Sequence, residues 1–254
     1  MSETAHLRAV VTGLLGFAAS EEEVLLAGVL AGGPDEAGSA RAGNAAEAGN
    51  ERSWAAAPTV AHNTEFKSQQ AERLAAVLAG RTPPSFGEIN HASAAVYQGY
   101  AARSAEAVTS DSRQVTAALL DGLRTLSDPD LLDPARHPWL NGRTLWLQVI
   151  VRGFWHPTGH VGEYYQRHGQ PERAIALHKH ALATARYLDA PVQAGGMAAY
   201  SLACAQAQAG LADEAGQSLS EAITMNPDVR ANAERDPDLA PLRASGRLAG
   251  ILAG

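Results

Sequence analysis

At 254 residues the chain has room for one or two domains and a sizeable core. A net charge of −7 without a basic run argues against nucleic acid as a partner, and the single cysteine, Cys204, excludes an internal disulfide and is compatible with a reducing compartment. No uninterrupted apolar run approaches the roughly 18 residues of a membrane span, and Met1-Ser2-Glu3-Thr4-Ala5-His6 lacks the charge pattern of a signal peptide, so the expectation is a cytoplasmic protein with no membrane partner.

Apolar residues recur at helical spacing from Leu7 to Leu30 and predict a first helix, with Glu21-Glu22-Glu23 on its solvated face. The run of Gly, Ala, Asn, Ser and Glu over Ala31–Ser53 has too little apolar surface to offset its ordering entropy and reads as a mobile loop, a linker or a lid. Trp54–Ala79 predicts a second helix whose buried side is marked by Val60, Phe66, Leu74, Val77 and Leu78, with His62 in its first turns. A third helical region runs from about Phe86 to Leu126, with a break expected near Thr109-Ser110-Asp111. After the turn-rich Asp133–Pro138, a fourth helix is expected from Thr144 to Arg167, kinked at Pro157, which removes a backbone donor.

This fourth helix carries the pattern richest in chemistry, His156-Pro157-Thr158-Gly159-His160-Val161-Gly162-Glu163. Residues i and i+4 share a helix face with Cβ atoms roughly 5–6 Å apart, close enough for two imidazoles to reach one divalent ion. His62 is the third candidate, and three imidazoles would leave coordination positions open, as catalytic sites do. The residues also permit plainer readings: two surface histidines at i, i+4, and a polar His62 at a helix surface. Glu163 shares the face of the histidine pair and has three readings: orienting a ligand imidazole, serving as a general base, or contacting solvent. Tyr164 and Tyr165 read as core.

Trp54 to His62 and His156 to Tyr165, set on four long helices, resemble the DinB/YfiT-like superfamily, in its ClbS/DfsB-like subgroup of self-resistance and detoxification proteins. The resemblance spans residues 7–168. It implies an all-α fold, a four-helix up-down bundle, with His62, His156 and His160 as ligands of a divalent metal. Zn, Ni and Fe all suit imidazole, so spacing does not choose among them. It further implies a small-molecule substrate, a low-molecular-weight thiol as co-substrate in some members, and frequent homodimers. The long loop at 31–53 departs from the compact family pattern.

The C-terminal part reads as a second module, residues 169–254. Leu202, Ala203, Gly210, Ala215, Leu219, Ala222 and Pro227 have the spacing of a tetratricopeptide repeat, and Gly162, Tyr165, Gly169, Ala174 and Ala181 form a poorer copy. The first copy begins inside the helix of His156 and His160, so the expectation is a short tetratricopeptide-like array sharing the fourth bundle helix. Asp236–Arg243 reads as the start of a capping helix. Such arrays either bind a protein partner or buttress their neighbour. Cys204 reads as a buried small residue, and His178-Lys179-His180 as a solvated face. Gly32-Gly33-Pro34 and Ala194-Gly195-Gly196-Met197 lack the strand and lysine of a phosphate loop.

Together these readings favour a metal-dependent enzyme acting on a small reactive metabolite by hydrolysis or thiol transfer, and the resemblance implies a role in resistance to or biosynthesis of a natural product. The alternatives are a non-catalytic protein that binds a metal or small molecule, and an assembly module whose histidines are incidental.

Overall fold

The computed structural model describes residues 2–31, 54–86 and 94–253, and every regular element among them is helical. The loop expected over Ala31–Ser53 lies, apart from Ala31, outside the described residues. The chain divides into two compact units, Met1–Tyr164 and Tyr165–Gly254. Among the described residues no helix is long and apolar enough to cross a membrane.

In the first unit, α1 (Glu3–Leu30) starts at Ser2, whose hydroxyl accepts from the Ala5 N–H at 3.2 Å. Its buried side is Leu7, Val10, Val11, Leu14, Leu15, Ala18, Leu25 and Leu26, the stripe that 3.6 residues per turn requires. It packs on α2 (Ala56–Leu78) and α4 (Ala105–Thr125), while α3 (Ala94–Ala101) lies on α2. Arg8 reaches from α1 to the carbonyls of Leu123 and Leu126 at the end of α4, satisfying acceptors that the helix cannot.

The third helical region is interrupted between Ala101 and Ala105, not near Thr109. Ser104 caps α4 by accepting from the Ala107 N–H at 3.2 Å, which fixes the start of the helix. The Thr109-Ser110-Asp111 run lies inside α4, where Thr109 donates its hydroxyl back to the Ala105 carbonyl at 2.8 Å without interrupting the helix.

Two expectations about solvent-facing and buried positions change. Val77 is only half-buried and Leu78 is exposed, because α2 ends there. Glu22 does not face solvent: it is 1 % exposed and paired with Lys67, itself 2 % exposed. Lys67 Nζ donates to Glu22 Oε2 at 2.5 Å, to Ser112 Oγ at 2.8 Å and to Thr116 Oγ1 at 3.4 Å, and Ser112 Oγ donates to the same Glu22 oxygen at 2.9 Å. A buried charge survives when it is paired and hydrogen-bonded, and this one ties α1, α2 and α4 together.

After α5 (Asp128–Leu132) and 3-10 turns at Pro134–Arg136 and Pro138–Leu140, the fourth helical region starts with α6 (Leu145–Ile150). It widens into a π turn over Val151–Trp155 before α7 (His156–Arg167). The His156 N–H bonds the Val151 carbonyl, five residues back. Pro157 explains the widening: it has no N–H to donate, and in a regular helix its ring would meet the Gly153 carbonyl. Gly153 lets α1 lie close here, since a Cβ at this position would stand 3.0 Å from Leu15 Cγ.

The second unit contains α8 (Pro171–Tyr187), α9 (Val192–Gln208) and α10 (Ala212–Met225), with α9 packed on both of the others. Small residues cover α9 and allow this: Ala194 to Ala207 is buried except at Ser201. Gly169 and Gly210 close the turns before α8 and α10 with φ of +69° and +79°. Cys204 is buried, as is His178, contrary to the solvated face expected for it, whereas Lys179 and His180 are exposed. The Tyr200 hydroxyl donates to Asp236 Oδ2 at 2.6 Å, and burial pushes its pKa up. A 3-10 turn (Pro237–Leu239) and α12 (Ala240–Ala244) follow the short α11 (Val229–Ala233), and α13 (Arg247–Ala253) ends the described chain.

Two stability predictions follow from this packing. Lys67→Ala leaves Glu22 buried without its counter-charge and is expected to cost about 3–5 kcal/mol in urea unfolding, whereas the joint Glu22→Leu/Lys67→Met replacement recovers most of that loss. Between α9 and α10, a Cβ on Gly196 would stand 2.5 Å from Asn226 Cβ and 3.1 Å from the Ala222 carbonyl, while one on Gly195 meets the flexible Met225 methyl at 2.4 Å. Gly196→Ala is therefore expected to lower the unfolding free energy by about 1–3 kcal/mol, and Gly195→Ala to leave it nearly unchanged because Met225 can turn away.

Candidate metal centre

α2 is unusual in what it buries. Thr59, His62, Asn63, Thr64, Lys67, Gln69 and Gln70 are all buried beside the apolar Val60, Ala61 and Leu74. Burying polar groups is costly unless each finds a partner, so a face of this composition points to a site. His62, 2 % exposed, meets α7 there.

The three histidines expected as ligands come together. His62 Nε2 stands 3.2 Å from His160 Nε2 and 3.1 Å from His156 Nε2, and the three candidate ligand atoms lie within 4.8 Å of one another. Imidazole nitrogens that bind one ion at about 2.0–2.1 Å in tetrahedral geometry are separated by about 3.3 Å, so the spacing fits a shared divalent cation.

Proton positions support the same fit. His160 Nδ1 is 3.3 Å from Glu163 Oε2. An ionised carboxylate only accepts, so Glu163 favours the tautomer with the proton on Nδ1 and a lone pair on Nε2, aimed at His62. A single cation can accept the lone pairs of three imidazole nitrogens that converge at this spacing.

Aromatic side chains hold the rings in place. Phe66 stacks on His156 with centroids 4.2 Å apart and planes at 25°, and it lies 4.8 Å from the His62 ring. Trp54 meets His62 edge-on at 5.5 Å and leans on Tyr97 and Tyr100. Tyr100 is 6.2 Å from the His62 ring, and its hydroxyl donates to Glu65. Asn63 Nδ2 approaches the Pro157 carbonyl at 3.5 Å, linking α2 to the first turn of α7. His62 is closed in, but His156, His160 and Glu163 are half-buried, which leaves the centre approachable from the α7 side. Tyr164 and Tyr165 are buried, in line with the core role expected of them.

The sequence pattern marks Phe66 as an apolar position and not as a neighbour of a ligand, and gives Arg152 no role. Spacing held the signal in both cases: Phe66 follows His62 by four residues, and Arg152 precedes His156 by four, so each shares a face with a ligand. The Arg152 guanidinium carbon lies 4.6 Å from the centre of the Phe66 ring.

No family model, curated protein or solved structure matches the chain.

Glu163→Gln keeps the size of the side chain but removes the carboxylate beside His160 Nδ1. Its expected effect is a fall in zinc affinity of roughly 10–100-fold, measured by competition with a chromophoric chelator. Unchanged affinity would mean that Glu163 does not orient the ligand.

Proposed function

We propose that this chain is a divalent-metal enzyme of the DinB-like kind, which acts on a small reactive metabolite through His62, His156 and His160. The observation that carries the reading is the convergence of His156 Nε2 and His160 Nε2 on His62 Nε2 at 3.1 and 3.2 Å. Three imidazoles suit Zn, Ni or Fe, and a three-ligand set leaves a coordination position for a substrate, in contrast to the closed four-ligand sets of structural zinc.

When bound, such an ion supplies Lewis acidity, polarising a substrate oxygen and acidifying water or a thiol at neutral pH. Hydrolysis and transfer of a low-molecular-weight thiol are both served by that chemistry. The protein's own groups define the surroundings. Glu163 holds the His160 proton on Nδ1 and, being half-exposed, is also within reach of incoming solvent as a proton acceptor. Phe66 and Trp54 keep water from the far side of His156 and His62 and hold the rings to one orientation.

In this reading the first unit is a four-helix bundle of the DinB type and the second a tetratricopeptide-like module that offers a surface to a protein partner or a second copy of the chain. A role in resistance to a reactive natural product, or in its biosynthesis, accords with the resemblance. The second reading is a protein that binds a metal or small molecule without turnover, and it is favoured by the depth at which His62 is buried.

Elemental analysis of tag-free protein purified without chelator tests the proposal. About one transition-metal ion per chain is expected, and it is lost in the His156→Ala/His160→Ala variant. No metal in the unmodified protein, even after reconstitution with zinc or nickel, overturns the metalloenzyme reading. Stoichiometric metal with no turnover across hydrolase and thiol-transfer substrates favours the binding protein.

A further inference from the structure

Beside the histidines lie two arginines that the metal centre does not use. Arg152 leaves the π turn and covers Phe66, the ring stacked on His156. Arg73, from α2, has its guanidinium carbon 5.0 Å from the centre of the Phe86 ring and 5.5 Å from that of Trp139. Both arginines are half-buried, and each guanidinium lies against aromatic rings with no carboxylate paired to it among the described residues. Ordinary ion pairs occur elsewhere in the same unit: Arg8 with Asp128, Arg103 with Asp111, Arg113 with Glu23 and Arg136 with Asp130.

The neighbouring polar groups are also unserved. Among the described residues, Arg73 Nε is buried without a hydrogen-bond partner, and so is the Trp139 indole N–H. Gln70, wholly buried one turn beyond Phe66 on α2, has no partner for either its amide nitrogen or its oxygen. Arg73 follows Phe66 by seven residues on α2 and so shares, two turns on, the face that Arg152 covers; burial lowers the pKa of both arginines, and the charge of Arg73 lowers that of Arg152 further. They nevertheless remain protonated. A half-buried pair of like charges ringed by unused donors is costly in the free protein, and the missing partner it calls for is an acceptor with negative charge. The guanidinium fork matches the oxygens of a carboxylate or a phosphate.

We infer that Arg73 and Arg152 form an oxyanion site that holds a carboxylate or phosphate of the substrate, one aromatic ring away from His156. The inference deepens the metal-site reading and rests on it for the word substrate alone, because oxyanion binding by these arginines needs no metal. Aromatic faces hold both guanidiniums in place before binding, which limits the ordering cost when the anion arrives. Phe66, between Arg152 and His156, separates the anion from the ion, so the anionic end of a ligand is anchored by the arginines while its reactive end reaches the histidines.

Inorganic phosphate and succinate serve as probes, titrated into the full chain at constant ionic strength, with chloride as the control anion, for the metal-free and the zinc-loaded protein alike. At least one probe is expected to bind both forms, with affinity reduced tenfold or more in Arg152→Met and in Arg73→Met. The exposed Arg113→Met serves as a control expected to bind as the unmodified chain does. Phosphate alone assigns a phosphoryl group, and succinate alone assigns a carboxylate. Should a variant fail to fold, protection of Arg73 and Arg152 from phenylglyoxal in the unmodified protein, read by peptide mass spectrometry, reports the same contact. The inference is overturned if neither probe binds, if binding survives both methionine variants, or if it disappears with the metal and ignores the arginines, since the anion then belongs to the ion. Elemental analysis separately decides the metal reading, so either proposal can fail alone.

Discussion

The buried Lys67–Glu22 pair sets the rotation of α2, and the metal centre depends on that rotation. Lys67 engages Glu22 from α1 and Ser112 and Thr116 from α4. At about 100° per residue, His62 lies about 140° around the helix from Lys67. Holding Lys67 in a polar niche between α1 and α4 therefore turns His62 toward α7. A buried ion pair contributes little net stability compared with a well-packed apolar pair, but it admits few alternative registers. Here the register is what the histidines need, because a small rotation of α2 would carry His62 Nε2 out of the cluster.

α7 meets that requirement from the other side. Pro157 cannot continue the hydrogen-bond pattern of α6, so the chain inserts a π turn over Val151–Trp155 and begins a fresh helix at His156. The wider turn advances the two histidines relative to α6 and places Arg152 over Phe66. Gly153 lets α1 approach the same turn. One imino acid and one missing side chain thus shape the ground on which the ligands stand. The same turn carries one of the two arginines assigned to the oxyanion.

The second unit solves a different problem with different residues. Its central helix, α9, is buried on nearly every side and is built mostly of alanine and glycine, so its neighbours approach through small side chains. Among its polar contacts are Tyr200 on Asp236, Ser218 on Gln206 at 2.7 Å, and Gln166 on the Ala205 carbonyl at 2.8 Å. Small-residue packing has little tolerance for added volume, so steric limits set how closely the neighbours of α9 approach it.

The sequence by itself determined the helical class, the approximate helices, and the two histidines that share a face, because periodicity and i, i+4 spacing are local properties of a helix. It also marked Pro157 as a disruption, although not the kind, since the choice between a kink and a π turn depends on what packs against the turn. The solvated reading of Glu22 failed for a similar reason: one glutamate of three is buried because Lys67, 45 residues away in the chain, lies opposite it. The resemblance put His62 with His156 and His160 as an expectation, and the packing of α2 on α7 brings them together; only the tertiary structure decided that Phe66 stacks between a ligand and Arg152, and that Arg73 and Arg152 find no carboxylate among the described residues. These are relations between helices, set by the rotation of α2 and the packing around α7; spacing along the sequence places Phe66 and Arg152 on the faces of the ligands but does not say what lies opposite them.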